Sequence, residues 1–178
     1  IGFRMLSYRS GIDSRRIRSG NLSYEEKQSL RDILEEQSYY PLELDFNPRV
    51  TVGGIRSMSR KLKREQGLEL LVIDYLHIIS NPGNRFATKR DEVSSNVKEL
   101  KAISKELDIP VVLVAKTSRD IEKRDDKRPL LSDLGESGDI EYEAALVMFC
   151  HNPHFKDAIE EDPSDSVDVQ IVIPKHRN

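Results

Sequence analysis

Apolar residues recur along this chain in two rhythms, and each rhythm predicts its own kind of element. Leu30, Ile33 and Leu34, then Ile55, Met58 and Leu62, then Val93, Val97, Leu100 and Leu107 keep the spacing of three or four that lines one helix face. Between them lie short continuous runs rich in β-branched residues: 69–76, 110–115, 145–150 and 169–173. Such runs predict strands buried on both faces of a parallel sheet. Residues 41–46 alternate instead, which predicts an exposed or half-buried strand. Punctuation agrees with the rhythms. Residues 1–6 look helical and uncapped, and a short helix restarts after Gly11 and ends near Gly20. Ser23 and Glu26 form a capping box, Thr51 caps a helix that Gly67 stops, and a long helix starts near Asp91. Strand, helix, strand with short connections predicts a mostly parallel α/β sheet flanked by helices.

The first of these strands ends in a single carboxylate, Asp74. In open α/β sheets the carboxyl ends of the strands form the ligand crevice, so an acid delivered there is a site candidate. Two roles fit the pattern equally: holding the Mg²⁺ of a bound nucleotide, or capping the next turn. Cys150, His151 and His154 offer three potential metal ligands within five residues, but the geometry is poor and no fourth ligand is evident.

Composition narrows the class without deciding the function. With 178 residues the chain can bury a real core, and 33% charged residues describe a well-solvated protein. No apolar stretch approaches the roughly 18 residues of a membrane span, and no signal peptide is read at the start. One cysteine excludes an intrachain disulfide framework and suits a reducing cytoplasm. The net charge of −3 does not advertise a nucleic-acid binder, yet cations crowd 4–18, 56–64, 116–119 and 123–128 while acids gather from 133 to 165. Segregation of this kind either gives a basic face for phosphates or simply solvates the surface.

Four signatures taken in order point to a family. Residues 71–76 (Leu-Val-Ile-Asp-Tyr-Leu) resemble the Walker B strand of the DnaB replicative helicases. Residues 4–7 and 11–22 are similar to the segment that follows that family's ATP-binding loop. Residues 126–138 (Asp-Lys-Arg-Pro-Leu-Leu-Ser-Asp-Leu-Gly-Glu-Ser-Gly) resemble its DNA-facing loop, and 175–178 match its Lys-x-Arg-Asn ending. The resemblance implies a RecA-like motor domain over residues 1–178. It also implies a homohexameric, ATP- and Mg²⁺-dependent helicase that translocates on single-stranded DNA in the bacterial cytoplasm, with primase and a loader as partners. On this reading Asp74 holds Mg²⁺ through water, and Lys116 ends the strand that senses the γ-phosphate. Lys175 and Arg177 reach a neighbouring subunit's nucleotide, while Gly135, Glu136 and Gly138 line the DNA channel with Arg85 as a further channel residue. Taken alone, Gly-Glu-Ser-Gly is a turn, and Lys175 and Arg177 are two cations at a chain end.

The departures are specific. The family usually has Gln where Lys116 stands, Arg where Gly135 stands and a second Asp where Ala145 stands. None of the nine glycines is followed by lysine, so the 178 residues hold no Gly-x-x-x-x-Gly-Lys-Ser/Thr loop. The family's catalytic Glu, N-terminal domain and linker helix are not among them either. The expectation is the rear two-thirds of a motor domain, inactive by itself. The rivals are a RecA-like recombination ATPase and a non-catalytic DNA-binding or assembly module.

Overall fold

The computed structural model describes residues 2–81, 86–135, 138–153 and 169–177. They form two compact units, Ile1–Phe46 and Asn47–Asn178.

The first unit is helical: α1 (Gly2–Ser10), α2 (Ser14–Ser19) and α3 (Tyr24–Ser38). Its core is Leu6, Ile12 and Leu30, with Ile17, Leu22 and Ile33 packed around them. Local chemistry sets the boundaries. The Asp13 carboxylate accepts the Arg15 N–H at 2.7 Å to start α2, and Gly20 ends it in the left-handed conformation at φ 71°. The Ser23–Glu26 capping box forms as expected. The strand expected over 41–46 does not form. Leu42, Leu44 and Phe46 are 51%, 45% and 74% exposed, and among the described residues no strand pairs with them. Alternation alone does not hold a strand whose N–H and C=O groups lack a ladder.

The second unit opens with α4 (Val52–Gln66). The Thr51 hydroxyl accepts the Gly54 N–H at 3.0 Å, and Gly67 closes the helix at φ 74°. Next come β1 (Leu71–Ile73), α5 (Lys89–Leu107) and β2 (Val111–Leu113). The two strands pair in parallel, Leu71 opposite Val111 and Ile73 opposite Leu113. Thr88 and Asp91 form a capping box at the start of α5, so Asp91 lies in the first turn rather than at the boundary. Val93, Val97, Leu100 and Ile103 of α5 pack with Ile73, Leu76, Ile79 and Val52 into the main core. Each such fully buried aliphatic side chain contributes roughly 1.5–3 kcal/mol relative to exposure.

Two cations of the basic stretch 56–64 lie on the face of α4 toward α5. Arg56 and Arg60 pair with Glu99 and Glu106 of α5, Arg56 reaching Glu99 at 2.6 Å. Exposed pairs of this kind add a fraction of a kcal/mol to about 1 kcal/mol each.

After β2 the chain runs through two 3₁₀ turns, Arg119–Lys123 and Leu131–Leu134, to α6 (Gly138–Glu143). Then follow β3 (Leu146–His151) and β4 (Gln170–His176), which pair antiparallel with an irregularity between Val147 and Phe149. Two-sided burial is not observed in these strands. Ile73 is 6% exposed while Val72 is 56%, and on β3 Val147 and Phe149 are buried while Leu146 and Met148 are not. Two-stranded pairs with helices packed on one side bury alternate residues, whatever the other face is made of.

Candidate functional site

Pairing continues past the end of β1 and decides what stands beside Asp74. Val114 donates its N–H to the Ile73 carbonyl at 3.0 Å, and Leu76 donates to the Val114 carbonyl at 2.8 Å. Asp74 and Lys116 therefore leave the same end of one parallel pair, the end where α/β sheets place their ligands. The Asp74 carboxylate is exposed and has no hydrogen-bond or ion-pair partner among the described residues. The Lys116 ammonium donates to the Tyr75 hydroxyl at 3.3 Å and stands 4.4 Å from the centre of that ring. Tyr75 thus holds the cation on its own ring and hydroxyl, and no ion pair joins Lys116 to Asp74.

The segment after β2 is tied back to this strand end. Ser118 donates its N–H to the Asp133 carbonyl at 2.7 Å. The Asp133 carboxylate, 5% exposed, accepts the Arg124 guanidinium at 2.6 Å and the Leu130 N–H at 2.8 Å. A buried carboxylate with a charged partner and a backbone donor is a fixed point. Gly135 follows at φ 56° and ψ −176°, a conformation close to glycine-only. Gly138 opens α6. Glu136, Arg85 and His154 lie outside the described residues.

Lys175 and Arg177 meet the far end of α6. The Lys175 ammonium donates to the carbonyls of Glu141 and Tyr142, the second at 3.5 Å. The Arg177 guanidinium lies over the Tyr142 ring, 5.6 Å from its centre, and its backbone N–H donates to the Ala145 carbonyl at 2.8 Å. The Ala145 contact uses backbone only, so it does not depend on the side chain at that position. At the other end of α6, Asp139 accepts from the Ser94 hydroxyl and from Lys98 at 3.2 Å. The Ser94 hydrogen bond first, then Lys98, holds its carboxyl below the usual carboxylate range.

Cys150 and His151 are neighbours on β3, so their side chains leave opposite faces of the strand. That alternation separates two of the three potential metal ligands noted in the sequence.

The structure thus gathers four of the predicted residues into two pairs, Asp74 with Lys116 at the ends of paired strands and Lys175 with Arg177 at the end of β4, and leaves Gly135 and Gly138 in neither. Tyr75, Asp133 and Tyr142 were not anticipated. Their partners are 41, 9 and 35 positions away, and no local pattern announces such contacts.

Comparison with known proteins agrees along the whole chain. It is 37% identical to the replicative DNA helicase DnaC of Bacillus subtilis over 175 residues, 98% of this chain and 38% of that protein. It is 36% identical to the replicative DNA helicase DnaB of Mycobacterium leprae over 178 residues, all of this chain and 29% of that one. Among solved structures, a DnaB-like replicative helicase described with its interactions with primase superposes with a TM-score of 0.88 at 29% identity. That match covers 99% of this chain and 42% of the other. The chain therefore spans well under half the length of these relatives. An ATPase domain matches with a TM-score of 0.87 at 29% identity, covering 98% of this chain and 62% of that one, so the fold is the RecA-like α/β arrangement of these motors. Matched over residues 1–178 by the model of the DnaB-like helicase C terminal domain, the chain belongs to that family.

Proposed function

We propose that this chain is part of a replicative DNA helicase motor, which couples ATP hydrolysis to movement along single-stranded DNA and to duplex unwinding. The observation that carries the reading is Asp74: an exposed carboxylate one residue beyond β1, without a partner among the described residues, with Lys116 leaving the adjacent strand end. That donor set fits Mg²⁺, which keeps several of its waters and binds through one or two carboxylates. The ion, when bound, supplies positive charge to the transferring phosphoryl group. Lys116 brings a further cation to the same strand ends, where phosphate oxygens would need one. Lys175 and Arg177 serve a neighbouring subunit's nucleotide in a homohexameric ring, arginine suiting that task through its permanent charge and planar fork. Gly135 and Gly138, with Glu136 and Arg85, face single-stranded DNA, where backbone N–H groups follow phosphates without reading bases. The setting is the bacterial cytoplasm, and primase and a loader are the protein partners.

The test is Asp74→Asn in the full-length protein. Mg²⁺-dependent ATP hydrolysis should be abolished, while circular dichroism and the thermal midpoint stay unchanged. Turnover equal to the unsubstituted protein would return Asp74 to a turn-capping role. An unsubstituted protein that hydrolyses ATP but cannot unwind a forked duplex would favour a recombination-type ATPase, and one that binds DNA without hydrolysis a non-catalytic module.

A further inference from the structure

Tyr142 is 66% exposed, so its ring does little for the core. What it does is carry the Arg177 guanidinium on its face, 5.6 Å from the ring centre. Two further contacts fix the same chain segment: the Arg177 N–H on the Ala145 carbonyl at 2.8 Å, and the Lys175 ammonium on the Glu141 and Tyr142 carbonyls. The last carbonyls of a helix lack intrahelical partners and carry partial negative charge, so an ammonium settles there readily. The backbone at Arg177 is thereby placed, but its long side chain is not. Its direction is set by the aromatic face beneath it.

We propose that Tyr142 is a positioning residue for Arg177, holding the guanidinium on its ring face before it meets a phosphate. The proposal rests on the reading of Arg177 as a group that acts on a neighbouring subunit's nucleotide. An unheld arginine must give up many rotamers on reaching its target, whereas one already laid on a ring gives up fewer. An exposed cation–π contact multiplies the population of the held conformer by about two- to fivefold. Tyr142 acts through Arg177, so it should change the rate of the committed complex and not the affinity for nucleotide.

The experiment uses full-length rings with saturating ATP and single-stranded DNA. Tyr142→Ala should lower kcat by about two- to fivefold and leave KM for ATP nearly unchanged. Tyr142→Phe keeps the aromatic face and should restore kcat. Tyr142→Leu keeps apolar bulk without the face and should stay as low as alanine, which separates a cation–π role from packing. Added to Arg177→Ala, Tyr142→Ala should cost nothing more. An unchanged or raised kcat in Tyr142→Ala, full rescue by leucine, or additivity with Arg177→Ala would each overturn the proposal. Arg177→Ala run in parallel keeps two failures apart. If it is slow while Tyr142→Ala is not, the positioning role falls and the Arg177 reading stands. If it is as fast as the unsubstituted ring, the Arg177 reading falls and takes the positioning role with it.

Discussion

Asp74 and Arg177 both stand one residue past the end of a strand, β1 in one case and β4 in the other, yet the two ends treat charge in opposite ways. At the first, the carboxylate is left without a partner among the described residues, and the nearby cation is held on a tyrosine instead of on the acid. At the second, both cations are occupied, Lys175 on helix carbonyls and Arg177 on an aromatic ring. A partner-free acid keeps its lone pairs for an incoming metal and its waters. A pre-oriented cation loses less freedom when it reaches an anion. If each subunit holds a nucleotide with its own acid and a neighbour's arginine, as proposed above, the first end would receive and the second would present.

The strongest way to break this comparison is to separate the two ends onto different subunits. In full-length rings, Arg177→Ala should cut ATP turnover by about 10³ or more, the scale of an arginine finger, with a smaller change in nucleotide binding. Asp74→Asn should also fail alone. Co-assembled, some interfaces pair an intact Asp74 with an intact Arg177 from the neighbour, and those interfaces should recover hydrolysis. Verified mixed rings with no recovery would mean that Arg177 does not act in trans.

These two ends also mark how far the sequence could be read. Asp74 was legible because a strand followed by one acid is a local pattern, and Lys116 because a second strand run precedes it. The helix limits at Ser23, Thr51 and Gly67 were legible for the same reason: caps are short-range chemistry. Two-sided burial of β1 and β3 was not, because burial depends on what covers each face and not on the strand's own residues. The alternating stretch at 41–46 misled because pattern supplies side chains but not a pairing partner. Tyr142 was illegible for a related reason. Nothing near it in sequence says that a strand end 35 positions later will lay an arginine on its ring.

A smaller effect sharpens what lies between the two ends. Ser118, just beyond Lys116, is bonded to Asp133, and Gly135 follows in a backbone conformation that only glycine adopts freely. A Cβ added at Gly135 would find Ser118 N at 3.8 Å, an ordinary contact, so any cost is backbone strain and not a clash. Gly135→Ala should therefore lower stability by about 1–3 kcal/mol in denaturant titrations. Gly135→Arg should carry the same penalty. A neutral outcome for alanine would show that the backbone at Gly135 relaxes to another conformation and that the strain read there is not retained.

The smallest effect concerns the anchor at the first turn of α6. Asp139 accepts from Ser94, pairs with Lys98, and lies in the field of Arg90. Because these partners favour the ionised form, its folded-state pKa lies below the ordinary value. The sign follows directly: its contribution is fully present above the ordinary carboxylate range and is lost as pH falls through the lowered folded value. Asp139→Asn should thus lower the thermal midpoint slightly near pH 7, and the gap from the unsubstituted protein should close on acidification. Other carboxylates with lowered values, Glu92 and Glu106 among them, titrate in both proteins and cancel in that difference. A gap that stays constant from neutral to strongly acidic pH would mean that Asp139 matters for its shape and not its charge. The α5–α6 joint would then be held by packing around Ile140, which is 7% exposed, rather than by the ion pair.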